Sequence, residues 1–176
     1  MRTLLALLTT ACVAQGCALV SPAPTLELLK ATGTAASYML SRGPTAATQT
    51  IHHAHPVPRS LCIEINRESP TGDVVPALQA ELQRHSIDSR VYDSGTPPAT
   101  CPVWLRYTAF IEWDVPPFGN EYRAYLSRAA LTLHTAEGRV LASSAYEPTS
   151  VYEIGRWSTT REKLAPVVTA IVTGVE

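Results

Sequence analysis

Three things are missing from this 176-residue chain, and each absence removes a class of function. After the first residues no segment is apolar for long enough to cross a bilayer. The uncharged run at residues 4–14 has eleven residues, where a transmembrane helix needs about 20. No basic stripe is present either: the arginines are scattered and the formal charge is −1. A phosphate backbone demands clustered positive charge, so nucleic-acid binding is not expected. Finally, the chain has no G-x-S-x-G, no S-x-x-K, no P-loop and no G-x-G-x-x-G. The best-marked nucleophile and nucleotide chemistries therefore lack their signatures, and neither an enzyme nor a cofactor is indicated.

What is present begins at the N-terminus. Residues 1–16 carry one charge, Arg2, then the apolar run, then small residues at Ala14 and Gly16, which is the anatomy of a secretory signal peptide. Cys17 follows directly. The sequence AQGC at residues 14–17 resembles the cleavage box of bacterial lipoprotein precursors at Gly16 and Cys17, and departs from it at Ala14 and Gln15. That resemblance implies that Cys17 is acylated, palmitate included, and becomes the first residue of a membrane-anchored protein. Each buried CH₂ of an acyl chain contributes about 0.8 kcal/mol to such anchoring. Ala18 rather than Asp follows the cysteine, which by the sorting habit of enteric lipoproteins implies the periplasmic face of the outer membrane. The other reading is ordinary signal cleavage, leaving a soluble periplasmic protein.

Of the four cysteines, Cys12 leaves with the signal and Cys17 takes the lipid, so Cys62 and Cys101 remain. An even remainder in an oxidising compartment fits one disulfide, with two buried thiols as the alternative. Cleavage also removes Arg2 and no acid, so the mature charge becomes −2.

Composition changes near residue 60. Residues 17–59, rich in Ala, Thr and Pro, read as a lipid-anchored tether, with a short helix at 25–41 ended by Gly43-Pro44 and an extended linker over 46–59. Residues 60–176 read as a periplasmic α/β domain. LCIEIN (61–66) alternates as a half-buried strand, Val74, Leu78 and Leu82 mark a helix, and IDSRVY (87–92) and PVWLRYTAFIEWD (102–114) are further strands. YRAYLSRAALTLHT and RVLASSAYEP follow, joined at Gly138. Thr159 and Glu162 form a candidate capping box for a last helix with the apolar stripe Leu164, Val167, Val168, Ile171, Val172. Pro166 inside that stripe argues for a kink or a late start. The expected fold is α+β: a two-layer sandwich of one mostly antiparallel sheet of about five strands with two helices on one face. The order β-α-β-β-β-α is preferred over β-α-β-β-β-β-α.

Candidate sites are few. His52, His53 and His55 supply imidazoles suited to zinc, copper or nickel, but they fall in the Pro-flanked linker and lack a distant further ligand, so they are weak candidates. Glu112 and Asp114 share a strand face and, with Glu121 or Glu147, are the candidate acid/base pair for an envelope enzyme. Trp104, Phe110, Trp113, Phe118 and Tyr122 form the candidate partner-binding group, because aromatics supply much of interface energy.

Several motifs resemble, in order, those of an uncharacterised family of small proteobacterial lipoproteins. These are Cys62-Ile63, Cys101, Tyr107-Thr108-Ala109 with Trp113-Asp114, and Lys163-Leu164 with Pro166. More distantly, the element order is similar to the α/β domains of envelope-assembly lipoproteins, which bind partners or lipids and catalyse nothing. The resemblance implies a membrane-anchored, non-catalytic accessory with an envelope protein partner. The alternatives are a carboxylate enzyme and a soluble metal binder.

Overall fold

In the computed structural model, residues 45–69, 72–93, 101–116, 119–148 and 155–175 are described. The expected signal peptide, Cys17, the expected 25–41 helix and Phe118 lie outside them. Six strands form one sheet: β1 (Thr48–His52), β2 (Ser60–Ile65), β3 (Asp88–Asp93), β4 (Val103–Asp114), β5 (Arg123–Thr135) and β6 (Val140–Tyr146). Helix α1 (Val74–Arg84) joins β2 to β3, and α2 (Thr160–Thr173) follows β6. The spatial order is β1-β6-β5-β4-β2-β3. No described helix is long and apolar enough to cross a membrane.

This corrects the expected fold in three respects. From Ser60 on, the element order is β-α-β-β-β-β-α and not the preferred β-α-β-β-β-α. The sheet has six strands rather than about five, and it is mixed rather than mostly antiparallel. β2 runs parallel to both β3 and β4, whereas β4, β5, β6 and β1 pair antiparallel. The parallel β2–β3 pairing follows from α1, because a helix between two strands carries the chain back to the end where it started; β4 starts from the same end on the other side of β2. The sixth strand, β1, lies where a linker is expected from the sequence. It is a short edge strand whose register slips between Thr48 and Ile51, with Gln49 in the left-handed region at φ 53°. A bulge of that kind removes the period-two alternation by which a strand is recognised.

The core lies between the helices and one sheet face. Leu61 and Ile63 of β2, Leu105 and Tyr107 of β4, Leu131 and Leu133 of β5 and Leu141 of β6 meet Leu78 and Leu82 of α1 and Leu164, Val168 and Ile171 of α2. Fully burying each such aliphatic side chain contributes about 1.5–3 kcal/mol. Buried Glu81 ties the helices together: it accepts from Arg84 at 2.9 Å and from Arg161 of α2 at 2.6 Å.

Helix α2 starts with the capping box. Glu162 N donates to Thr159 Oγ1 at 3.2 Å, and Thr159 N donates to Glu162 Oε2 at 2.7 Å. Pro166 lies inside the helix. It has no N–H, so the carbonyl four residues earlier, that of Glu162, loses its helical donor. Thr45, just before β1, donates its hydroxyl to that carbonyl at 2.9 Å. The objection raised by Pro166 is therefore met from outside the helix, by the segment that reads as a tether.

Candidate functional site

The long β4–β5 hairpin carries most of the candidate residues. Twelve register pairs run from Val103↔Thr135 to Asp114↔Arg123, broken by a bulge between Phe110 and Ile111. The bulge is stitched by Ser127, whose hydroxyl donates to the Phe110 carbonyl at 3.2 Å. At the hairpin end several side chains meet solvent, although Tyr125 and Leu126 remain buried. Phe110 is 52 %, Trp113 67 % and Tyr122 71 % exposed, and Ile111 is also exposed. Arg128 lies over the Phe110 ring at 5.1 Å, a cation–π contact that leaves the other ring face open.

A polar clasp holds this end of the hairpin. Arg156 donates to Asp114 Oδ2 at 2.7 Å and to the Tyr125 hydroxyl, and Tyr125 in turn donates to Glu112 Oε2 at 2.8 Å. The guanidinium lies 4.6 Å from the Tyr125 ring centre, and Trp157 packs against the same ring at 5.0 Å. Burial pushes the Tyr125 phenol above its ordinary value; the Glu112 carboxylate adds to the rise and Arg156 opposes it. Beneath, fully buried Lys163 donates to the carbonyls of Leu126 at 2.7 Å and Arg156 at 2.5 Å, with its ammonium 5.3 Å from the ring centres of Tyr125 and Tyr146. Satisfying a buried charge with carbonyls and ring faces avoids the cost of leaving it unpaired.

The predicted residues are thus partly brought together. Trp113 and Tyr122 lie at the hairpin end; Phe110, three residues before Trp113, falls on the opposite face of β4 by the strand's alternation. Trp104 does not join them: it is 7 % exposed, opposite Cys62 and packed by Tyr92 at 6.1 Å. Six residues of strand, about 20 Å, separate it from Phe110. Cys62 and Cys101 are joined in a disulfide with Cα atoms 6.1 Å apart. The carboxylates do not converge. Glu112 and Asp114 are committed to the clasp, and Glu147 accepts from Gln49 of β1 at 2.9 Å. Arg156 and Lys163 carry no sign of the clasp in their sequence context, since nothing in their spacing shows that they reach a hairpin about 40 residues earlier. Ile111 continues the alternation of the buried strand face, and only its position past the bulge exposes it.

A second concavity, of about 410 Å³, opens where β2 ends. Glu64, Arg67, Glu68, Arg106, Thr108 and Thr132 are among its lining residues. There the ladder is continued by side chains: Asn66 Nδ2 donates to the Tyr107 carbonyl at 3.0 Å and Ala109 N donates to Ser69 Oγ at 3.1 Å. Arg106 pairs with Glu64 at 2.6 Å and Arg67 with Asp93, so both lining arginines are engaged within the protein.

His52 and His55 are half-buried, and His53 is exposed. His52 ends β1 and stacks on His55 with ring centres 4.7 Å apart. No group of three or more His, Cys, Asp or Glu residues that could hold a metal is present among the described residues.

No protein-family model matches the chain, and no curated protein matches it in sequence. Among solved structures it is similar to the PelC dodecamer from Paraburkholderia phytofirmans, with a TM-score of 0.43 and 14 % identity over 71 % of this chain and 98 % of that one. It is also similar to a dodecamer of a single-substitution PelC variant from the same organism, with a TM-score of 0.39 and 13 % identity over the same shares.

Proposed function

We propose that this chain is a lipoprotein of the proteobacterial family its motifs resemble, held at the periplasmic face of the outer membrane by acylated Cys17. Its 60–176 domain, with β1 added, serves as a non-catalytic binding or envelope-assembly accessory. The observation that carries the reading is the exposed aromatic end of the β4–β5 hairpin. Phe110, Trp113 and Tyr122 expose more than half of their surface on a hairpin end that Arg156 and Tyr125 hold in place. Exposed aromatics on an ordered hairpin need little further ordering to bind a protein partner, and aromatics dominate interface hot spots. The cysteine pattern supports the compartment, since a disulfide persists in an oxidising space.

The test has two arms. Mass spectrometry of the mature N-terminus should find Cys17 acylated; an unmodified terminus overturns the anchor. A photo-cross-linker at position 121, beside Tyr122, should capture an envelope protein in intact cells, and the combined Phe110→Ala, Trp113→Ala, Tyr122→Ala variant should lose that adduct while unfolding at the same temperature. An unchanged adduct in the variant overturns the binding surface.

A further inference from the structure

The N-terminal segment joins the domain at a definite level of the sheet, which two independent sets of contacts give. Thr48 of β1 lies in one row with Ala145, Ala130 and Thr108, on successive strands from β1 to β4. Each of those pairings is antiparallel, so β1 runs opposite to β4. Going back from Thr48 to Thr45 therefore leads the same way along the sheet as going forward from Thr108 to Ile111, toward the hairpin end. The row is three strand spacings wide, about 15 Å. Helix α2 gives the same level. Thr45 donates to the Glu162 carbonyl, and the next residue, Lys163, donates to the carbonyl of Leu126, the register partner of Ile111.

The opposite end of the domain points away from this entry. α2 runs from Thr160, near the clasp, to its left-handed cap Gly174, which lies against the His52 ring; an added Cβ there would fall 3.0 Å from His52 Cγ. His52 shares a row with Ala142, Leu133 and Leu105, about 20 Å along β4 from Ile111. Residues 18–44, which would connect the domain to an acylated Cys17, thus enter at the level where Ile111, Trp113 and Tyr122 are exposed. Turning the domain over would place its length between the anchor and the entry point and stretch that connection.

We propose that the domain stands with its hairpin end toward the membrane that holds Cys17, and that the partner of this end is a protein embedded in the same membrane. The inference rests on the reading above, that Cys17 is acylated and that the hairpin end binds a protein. The charges at this end favour protein over lipid as the occupant. Glu112 and Glu121 are exposed near the aromatics, as are Arg123 and Arg128. A lipid-seated surface carries Lys and Arg on its polar side, and anionic headgroups repel carboxylates. An apolar centre rimmed by charges of both signs suits a protein surface.

The experiment has two arms. In the first, purified acylated protein is bound to vesicles of phosphatidylethanolamine and phosphatidylglycerol with an acceptor dye on the headgroups, and a fluorescent donor amino acid replaces Glu121 or Glu137. β5 spaces these positions by about 40 Å, so energy transfer from 121 should exceed that from 137 at least twofold. Equal transfer, or more from 137, overturns the orientation. In the second arm, the photo-cross-linker at 121 is placed in cells on a chain lacking residues 26–39, which leaves 13 residues between Cys17 and Thr45, a coil of about 20 Å. The adduct of the full chain should persist undiminished, and its partner should be a membrane-spanning protein. Loss of the adduct on shortening, or an adduct to a soluble periplasmic protein or to lipid alone, overturns the membrane-embedded partner. Failure of the reading beneath it is distinct: the full-length chain itself then shows no acylated Cys17 or no adduct, which removes the surface together with its partner.

Discussion

The two ends of β4 each present a tryptophan, and the protein treats them in opposite ways. At the first end Trp104 is buried beside Tyr92, and the Cys62–Cys101 disulfide lies alongside. At the other end Trp113 stands in solvent, 67 % exposed. The first end is held by a covalent link and apolar packing. The second is held by Arg156, Tyr125 and Lys163 through their polar groups. A clasp of hydrogen bonds thus keeps a hairpin end rigid without using up its apolar side chains. Those side chains remain available to something else.

The largest expected effect falls on the first end. Replacing Cys62 and Cys101 with Ala opens a link spanning 39 residues of sequence, worth about 4 kcal/mol on the chain-entropy model; urea unfolding should show that loss, and an unchanged midpoint would break the contrast. Trp104→Ala should cost about 3 kcal/mol through the cavity it leaves, measured in the same way. At the second end, Arg156→Ala should cost only about 1 kcal/mol, because its pairing with Asp114 is partly solvated. It should nevertheless speed amide exchange at residues 111–114 and 123–126. Trp113→Ala should change stability by less than about 0.5 kcal/mol, and acrylamide should quench Trp113 far more readily than Trp104. Equal quenching of the two would remove the distinction between buried anchor and exposed contact.

The elements differ in how far their residues declare them. Strands β2, β4 and β5 announce themselves by alternation, and α2 by its capping box and apolar stripe, because these are local patterns of period two and 3.6. β1 does not: a bulged edge strand of five residues, followed by histidines and prolines, has no period to read. The parallel neighbours of β2 contradict the mostly antiparallel expectation, although the strand–helix–strand order contains the reason for one of them, β3. In the candidate site, Phe110, Trp113 and Tyr122 are legible as aromatics in and after one strand. The separation of Trp104 from them is not, since facing the open side of a sheet does not say whether a neighbour covers that side. The carboxylates Glu112 and Asp114 look like reactive partners in the sequence because the groups that engage them, Tyr125 and Arg156, cannot be seen from spacing.

By itself the sequence determined the alternation of the long strands, the apolar stripes of the helices and the capping box of α2. Each of these depends on residue type and near neighbours alone. Only the tertiary structure decided that residues 48–52 belong to the sheet, that Thr45 replaces the hydrogen bond Pro166 cannot make, that one tryptophan is buried and the other bare, and that His52 and His55 lie ring on ring against Gly174. These depend on contacts between residues far apart in the chain, and no local pattern encodes such contacts.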